Sequence, residues 1–199
     1  LSRAVEFLES NPGVVAVTGE VLRDGAAEKR EIPGDTASLL LVNAQPAADA
    51  ATATRHLYGC NFVVRYHAAL STRFDDRLPL YGWLEDRDFA GRVKNFGALA
   101  HIRSAQIVHR GAQSGGRLSH RRFGYSQVAN PIHLWRKGSI TLGDCVGYLL
   151  RSLPNNLARS AVGRDAQWRR ARVSGNAAAV LDLMTGRLAP ERILRLVDA

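Results

Sequence analysis

The chain has 199 residues, 46% of them hydrophobic, with 27 Lys plus Arg against 18 Asp plus Glu and a formal net charge of +9. That length suits one ordinary domain, or a compact domain with an appendage, and is enough to bury a real core. The composition excludes collagenous and disordered classes. Two distant cysteines, Cys60 and Cys145, make no disulfide scaffold and point to a reducing compartment, while neither a membrane-length apolar run nor a basic-then-apolar signal pattern appears.

In chain order, Leu1, Ala4, Val5 and Leu8 fall on one helical face and Pro12-Gly13 stops it, so residues 2–11 read as the end of a helix. The β-branched run 14–18 predicts a strand ending at Gly19, Asp24-Gly25 a hairpin-type turn, and 39–42 another strand. Residues 45–54, rich in Ala and Thr, suit a loop or a loose helix. A strand is expected over 59–65, a short helix over 66–70 and a loop over 74–81. A helix follows over 85–95, with Phe89, Val93 and Phe96 as its buried stripe and Asp88–Arg92 as an i,i+4 pair. Strands are predicted over 98–102 and 105–108. After a glycine-containing loop over 110–117, helices are predicted over 118–137, 141–153, 165–184 and 191–197, punctuated by Pro131, Pro154 and Pro190.

Charge is spread unevenly. Residues 101–172 hold 13 Lys plus Arg against only Asp144 and Asp165, a local +11 that leaves −2 for the remainder. Such a segment suits phosphates, acidic lipid headgroups or nucleic acid, or else an ordinary solvated basic face.

The most informative stretch runs from Leu78 to Phe89, where Glu85, Asp86 and Asp88 stand at a predicted helix N-terminus directly after Gly82-Trp83. Acids in a first turn cap the free N–H groups and suit the helix dipole. A carboxylate held there at a pocket rim is also placed to take a proton from an attacking hydroxyl, a role that contributes roughly 10²–10⁴-fold. His109 stands at a strand end before a loop with Gly111, Gly115 and Gly116. With Arg110 and Arg117 it suits phosphate oxygens, whereas a metal site would need carboxylate partners that the sequence does not place beside it.

In this order, the strand Gly59-Cys60-Asn61-Phe62-Val63-Val64-Arg65, the loop Phe74-Asp75-Asp76-Arg77-Leu78, the run Trp83-Leu84-Glu85-Asp86-Arg87-Asp88-Phe89 and His109 resemble the acceptor half of a family-2 inverting glycosyltransferase. The resemblance covers roughly residues 1–137. The tail, with Gly175-Asn176-Ala177 and the stretch from Asp182 to Arg192, is similar to the helical C-terminal extension of bacterial members that build surface polysaccharides.

The resemblance implies an α/β fold, with residues 1–117 as the C-terminal part of a GT-A-type nucleotide-diphospho-sugar transferase domain and 118–199 as a basic helical extension. It implies an inverting, single-displacement transfer of a hexosyl- or rhamnosyl-type sugar from a nucleotide-diphospho-sugar to a saccharide or lipid-linked saccharide hydroxyl. Asp86 matches the catalytic base, and Glu85 orients the acceptor or Asp86 itself. His109 matches a residue near the diphosphate and its divalent ion, Mn or Mg. Gly59, Cys60 and Asn61 would line the substrate pocket, with Arg110 and Arg117 as phosphate contacts. Trp83 either stacks on a sugar face or locks its loop as a core aromatic. Asp88 is read as helix structure, and Asp75-Asp76 as loop and capping residues. The family's nucleotide-binding half, whose Asp-x-Asp motif supplies most metal ligands, has no counterpart in a sequence that opens at Leu1. A fragment with little turnover of its own is therefore expected.

Arg121, Arg122, Arg136, Lys137 and Arg151, interleaved with Phe123, Tyr125, Trp135 and Tyr148, suit either seating on an anionic membrane or a helical hairpin packed on the core. The expected location is cytoplasmic, peripheral at the inner face of the plasma membrane. Two other classes compete. A non-catalytic scaffold or carbohydrate-binding relative is the alternative. A nucleic-acid module finds no support, because zinc-finger spacing, an RNA-recognition signature and a basic zipper are all missing from the sequence, so no nucleic-acid partner is expected.

Overall fold

The computed structural model describes residues 1–28, 30–45, 51–111, 119–163 and 165–197. It is a mixed α/β protein with one four-stranded mixed sheet. Against the expected single boundary between residues 117 and 118, the chain forms two compact units: Leu1–Arg73 with Phe89–Gln113, and Phe74–Asp88 with Ser114–Ala199. The acid-rich run at 85–88 thus belongs with the C-terminal helices.

In the first unit, α1 (Ser2–Ser10) leads into β1 (Val14–Asp24), followed by α2 (Gly25–Glu28), α3 (Gly34–Val42), β2 (Ala51–Ala53), β3 (Phe62–Val64) and α4 (Tyr66–Thr72). Helix α5 (Glu85–Val93) and a 3₁₀ turn (Lys94–Phe96) then lead to β4 (Ala98–His109). The sheet order is β2-β4-β1-β3, with β1 and β4 parallel and the outer strands antiparallel to their neighbours. Residues 15–19 of β1 are buried without alternation, as expected of a central strand covered on both faces. Val15, Leu57, Phe89, Val93 and Leu99 form one cluster, and Ala4 and Leu8 of α1 join Val17, Ala100 and Ile102 in another. Arg65 ties this core to the end of α1 by donating to the carbonyls of Val14, Leu8 and Asn11.

Several local expectations change. Residues 39–42 are helical, because a short apolar run carries no period of its own and Ala37–Leu41 continue the helix that begins after Pro33. Asp24-Gly25 is no hairpin: β1 runs on to Asp24, whose Oδ1 accepts from the Ala26 and Ala27 amides and so caps α2. Only Phe62–Val64 of the 59–65 run is strand, with Gly59-Cys60 turning between the bridged pair Tyr58 and Asn61. Ala51–Ala53 is an edge strand, and the two strands expected over 98–108 are one. Phe96 is 47% exposed rather than in the buried stripe, since the helix tightens to 3₁₀ before reaching it.

The second unit packs α6 (His120–Arg136), α7 (Leu142–Ser160) and α8 (Ala166–Met184), closed by a 3₁₀ segment (Pro190–Arg195) where a helix was expected. Pro131 lies inside α6, as the expected span allowed, and Pro154 lies inside α7 instead of ending it at residue 153. Each costs a backbone hydrogen bond, offset by packing on a core that includes Tyr125, Val128, Ile132, Cys145 and Ile193. α6 and α8 approach almost backbone to backbone. A Cβ on Gly124 would lie 2.2 Å from the Arg172 carbonyl oxygen, and one on Gly175 2.0 Å from that of Arg121. Buried amides lock the three helices: Asn156 Nδ2 donates to Gln127 Oε1 (2.7 Å) and Asn176 Oδ1 (3.0 Å), and Arg169 donates to Asn156 Oδ1 (2.7 Å).

Candidate functional site

The acid pair of the second unit follows a strained loop. Leu80 (φ 62°), Gly82 (φ 56°) and Leu84 (φ 74°) are all left-handed, a conformation that costs a non-glycine residue roughly 1–3 kcal/mol. The surroundings hold the loop in place. Gly82 N–H donates to Pro79 O, Glu85 N–H to Gly82 O at 2.8 Å, and Asn130 Nδ2 to Trp83 O at 2.8 Å, while Leu78 and Leu84 pack on Leu134. The result sets Glu85 and Asp86 in the first turn of α5. Glu85 lies so close to Gly82 that a Cβ there would come within 2.5 Å of Oε2. Partial burial, and then the charge of Asp86, push the Glu85 carboxyl above the ordinary carboxylate range. Asp86 Oδ1 accepts from the Arg87 amide at 2.8 Å.

Beside the pair stands an aromatic wall. Trp83 meets Phe123 and Tyr148 edge-on, each with ring centroids 5.8 Å apart, and Phe123 carries the Arg172 guanidinium 4.4 Å above its ring. Trp83 thereby locks the loop as a half-buried core aromatic.

Asp88 is fully buried and accepts from Ser139 Oγ and Lys137 Nζ. Lys137 also donates to Asp75 Oδ2 at 2.6 Å, and His133 Nε2 meets the same oxygen at 2.9 Å. Desolvation raises the Asp75 carboxyl, but the hydrogen bonds from Lys137 and His133 outweigh it and hold the group well below its usual range. Both acids act as anchors inside the unit. Tyr125, one of the aromatics suited to either a membrane face or a packed hairpin, is fully buried with its hydroxyl on Asp182, and burial pushes it up to about 12. Arg121 and Arg122 donate to the Val197 and Leu196 carbonyls. No helix among the described residues is long and apolar enough to cross a membrane.

In the first unit, β1 and β4 end together, pairing Asp24 with His109. His109 Nδ1 meets Asp24 Oδ1 at 2.8 Å, and Tyr58 donates its hydroxyl proton to Asp24 Oδ2. Burial raises the Asp24 carboxyl, yet the bonds from Tyr58, His109 and the α2 amides prevail and hold it below its ordinary value. With Nδ1 engaged by a carboxylate, His109 keeps Nε2 for an outside partner, the arrangement that orients histidine ligands of metals. His109 therefore fits a divalent ion as a single ligand. No cluster of three or more His, Cys, Asp or Glu suited to a metal occurs among the described residues.

The remaining expected site residues are placed as follows. Cys60 is exposed in the Gly59-Cys60 turn and Cys145 is buried, and neither is in a disulfide. Asn61 is stitched to the sheet, its carbonyl accepting from Thr18 Oγ1 at 2.7 Å and its Nδ2 donating to Ala105 O at 3.1 Å. Arg110 donates to Ile32 O and Glu31 Oε1, both at 3.0 Å. Arg117 lies outside the described residues. Asp24 and Tyr58 went unnoticed in the sequence, because only strand register, invisible locally, brings them to His109.

No family model matches the sequence, and no curated protein or solved structure matches it either.

Proposed function

We propose that the chain is the acceptor-side portion of a GT-A-type, family-2 inverting glycosyltransferase, moving a sugar from a nucleotide-diphospho-sugar to a hydroxyl in bacterial surface-polysaccharide synthesis. The observation that carries the reading is the strained Leu80–Leu84 loop, which sets Glu85 and Asp86 at a helix N-terminus beside an aromatic wall. Strain of that kind persists where the surroundings over-determine it, commonly at active sites.

In this reading Asp86, set in the first turn of α5, takes the proton of the acceptor hydroxyl. Glu85 orients the acceptor or Asp86 itself. In the first unit Asp24 fixes the His109 ring and leaves Nε2 to a phosphate oxygen or a divalent ion. A bound Mn or Mg ion supplies charge neutralisation to the departing diphosphate, and His109 is the residue of this chain that would hold it. The exposed arginines suit an anionic membrane surface at the cytoplasmic face, where a lipid-linked acceptor would be met.

The test is sugar transfer by the natural gene product, wild type against Asp86→Asn. The expected outcome is a loss of roughly 10²–10⁴-fold in turnover with donor binding retained. Unchanged turnover overturns the base assignment. Saccharide binding without any turnover in the wild type favours the non-catalytic, carbohydrate-binding alternative.

A further inference from the structure

The second unit contains a concavity that the glycosyl-transfer reading leaves unused. It measures about 500 Å³, within the roughly 300–1,000 Å³ of small-molecule clefts, and its floor is apolar, built from Ala129, Ile132, Leu188 and Pro190. Around that floor stand Arg77, His133, Arg136 and Lys137. Arg77 also lines an adjoining recess of about 410 Å³ that presents Arg187, Arg192 and Arg195. Across the two recesses six Lys or Arg side chains face only two carboxylates, Asp75 and Glu191, a net +4 with His133 neutral.

Two kinds of cation occupy this wall. Some are committed: Arg77 pairs with Glu191, Lys137 with Asp75 and Asp88, and Arg192 with Asp182. They fix the shape of the recess. Others are less so: among the described residues Arg136 and Arg195 have neither a hydrogen bond nor an ion pair, and Arg187 donates to Thr185 Oγ1 at 3.1 Å and reaches Asp182 only at 3.9 Å. These three guanidinia are exposed along the walls of the two recesses and are open to an outside anion. Their planar, forked donors match phosphate oxygens better than any other common ligand.

We propose that this double recess is a binding site for a phosphate or diphosphate ester, its anionic oxygens on Arg136, Arg187 and Arg195 and its organic portion on the Ala129–Ile132–Leu188 floor. The site lies wholly within the second unit and is independent of the acid pair and of His109. The phosphate ester is either a free small molecule or a lipid headgroup, and the chemistry at the guanidinia is the same for both.

Calorimetry of the whole chain with inorganic pyrophosphate at low salt tests it. Wild type is expected to bind, and the Arg136→Gln/Arg195→Gln variant to bind at least about tenfold more weakly, with its melting temperature unchanged because neither side chain has a partner. Arg55→Gln/Arg103→Gln, which removes two exposed cations from the first unit, is expected to bind as wild type does. Failure of wild type to bind, or equal weakening in both variants, overturns the site and leaves only diffuse charge. Sedimentation with phosphatidylcholine vesicles, with and without phosphatidic acid, identifies the source. Phosphatidic-acid-dependent pelleting that pyrophosphate competes away assigns a lipid headgroup, and pyrophosphate binding without pelleting assigns a free ester. Both readouts are binding, so they stand or fall separately from sugar transfer.

Discussion

Asp24 and His109 close the parallel strands β1 and β4 as a registered pair, with carboxylate and imidazole 2.8 Å apart. The carboxylate is an acceptor, so it selects the imidazole tautomer with the proton on Nδ1. Nitrogen-detected NMR at neutral pH is expected to show that tautomer for His109 in the wild type and a mixture of the two in Asp24→Ala. A mixed population in the wild type would break the assignment.

Glu85 and Asp75 are predicted to affect stability with opposite signs. The folded state raises Glu85, so its favourable contribution is complete below the unfolded carboxylate pKa and is lost as pH rises through the folded value. Glu85→Gln should therefore melt at or above wild type at pH 7, and the advantage should vanish below about pH 4. Asp75 is depressed, so its contribution is present above the unfolded pKa and lost as pH falls toward the folded value. Asp75→Asn should melt below wild type at neutral pH, with the gap closing in acid. Thermal melts across pH 2–8 read both.

Asp88 is buried against Ser139 and Lys137, and removing one member of such a set strands the others. Asp88→Ala is expected to lose about 3–5 kcal/mol in denaturant unfolding. Pairing it with Ser139→Ala should cost less than the sum of the two single changes, since both remove the same buried hydrogen bond. Strict additivity would show that the two groups do not interact.

The glycine crossing of α6 and α8 leaves no room for a methyl group, because the obstacles are backbone oxygens that no rotamer change can move. Gly124→Ala and Gly175→Ala are each expected to cost about 3 kcal/mol, the upper end of overpacking, despite the better helix propensity of alanine. Gly147→Ala on α7, where nothing lies within 4 Å of the added carbon, should be neutral or stabilising. Urea titrations of the three variants check the contrast.

Elements with a strong period were legible. Residues 2–11, 85–93 and the three long C-terminal helices follow from apolar spacing, and the buried run at 14–18 from its β-branched residues. The acid pair was legible as a helix start, because Glu85 and Asp86 directly follow a Gly-aromatic turn. What stayed hidden depends on distant partners. The apolar run 39–42 suits a strand or a helix equally until its neighbours decide. Pro154 read as a helix end because the packing that offsets it is tertiary. His109 was noticed alone, since Asp24 and Tyr58 reach it only through the register of two strands far apart in sequence.

The sheet has an order of assembly written into it. β4 is the last of its strands along the chain, yet it stands between β1 and β2, and among the described residues β2 pairs with β4 alone. During synthesis β1 can hold only the three-residue β3 until residues 98–109 have emerged, because Val14 must wait for Ala98. Closing so distant a parallel pair is slow compared with forming helical contacts. The first unit is therefore the one exposed longest as an unpaired edge, and the one whose yield should respond to translation speed and to chaperones that shield strands.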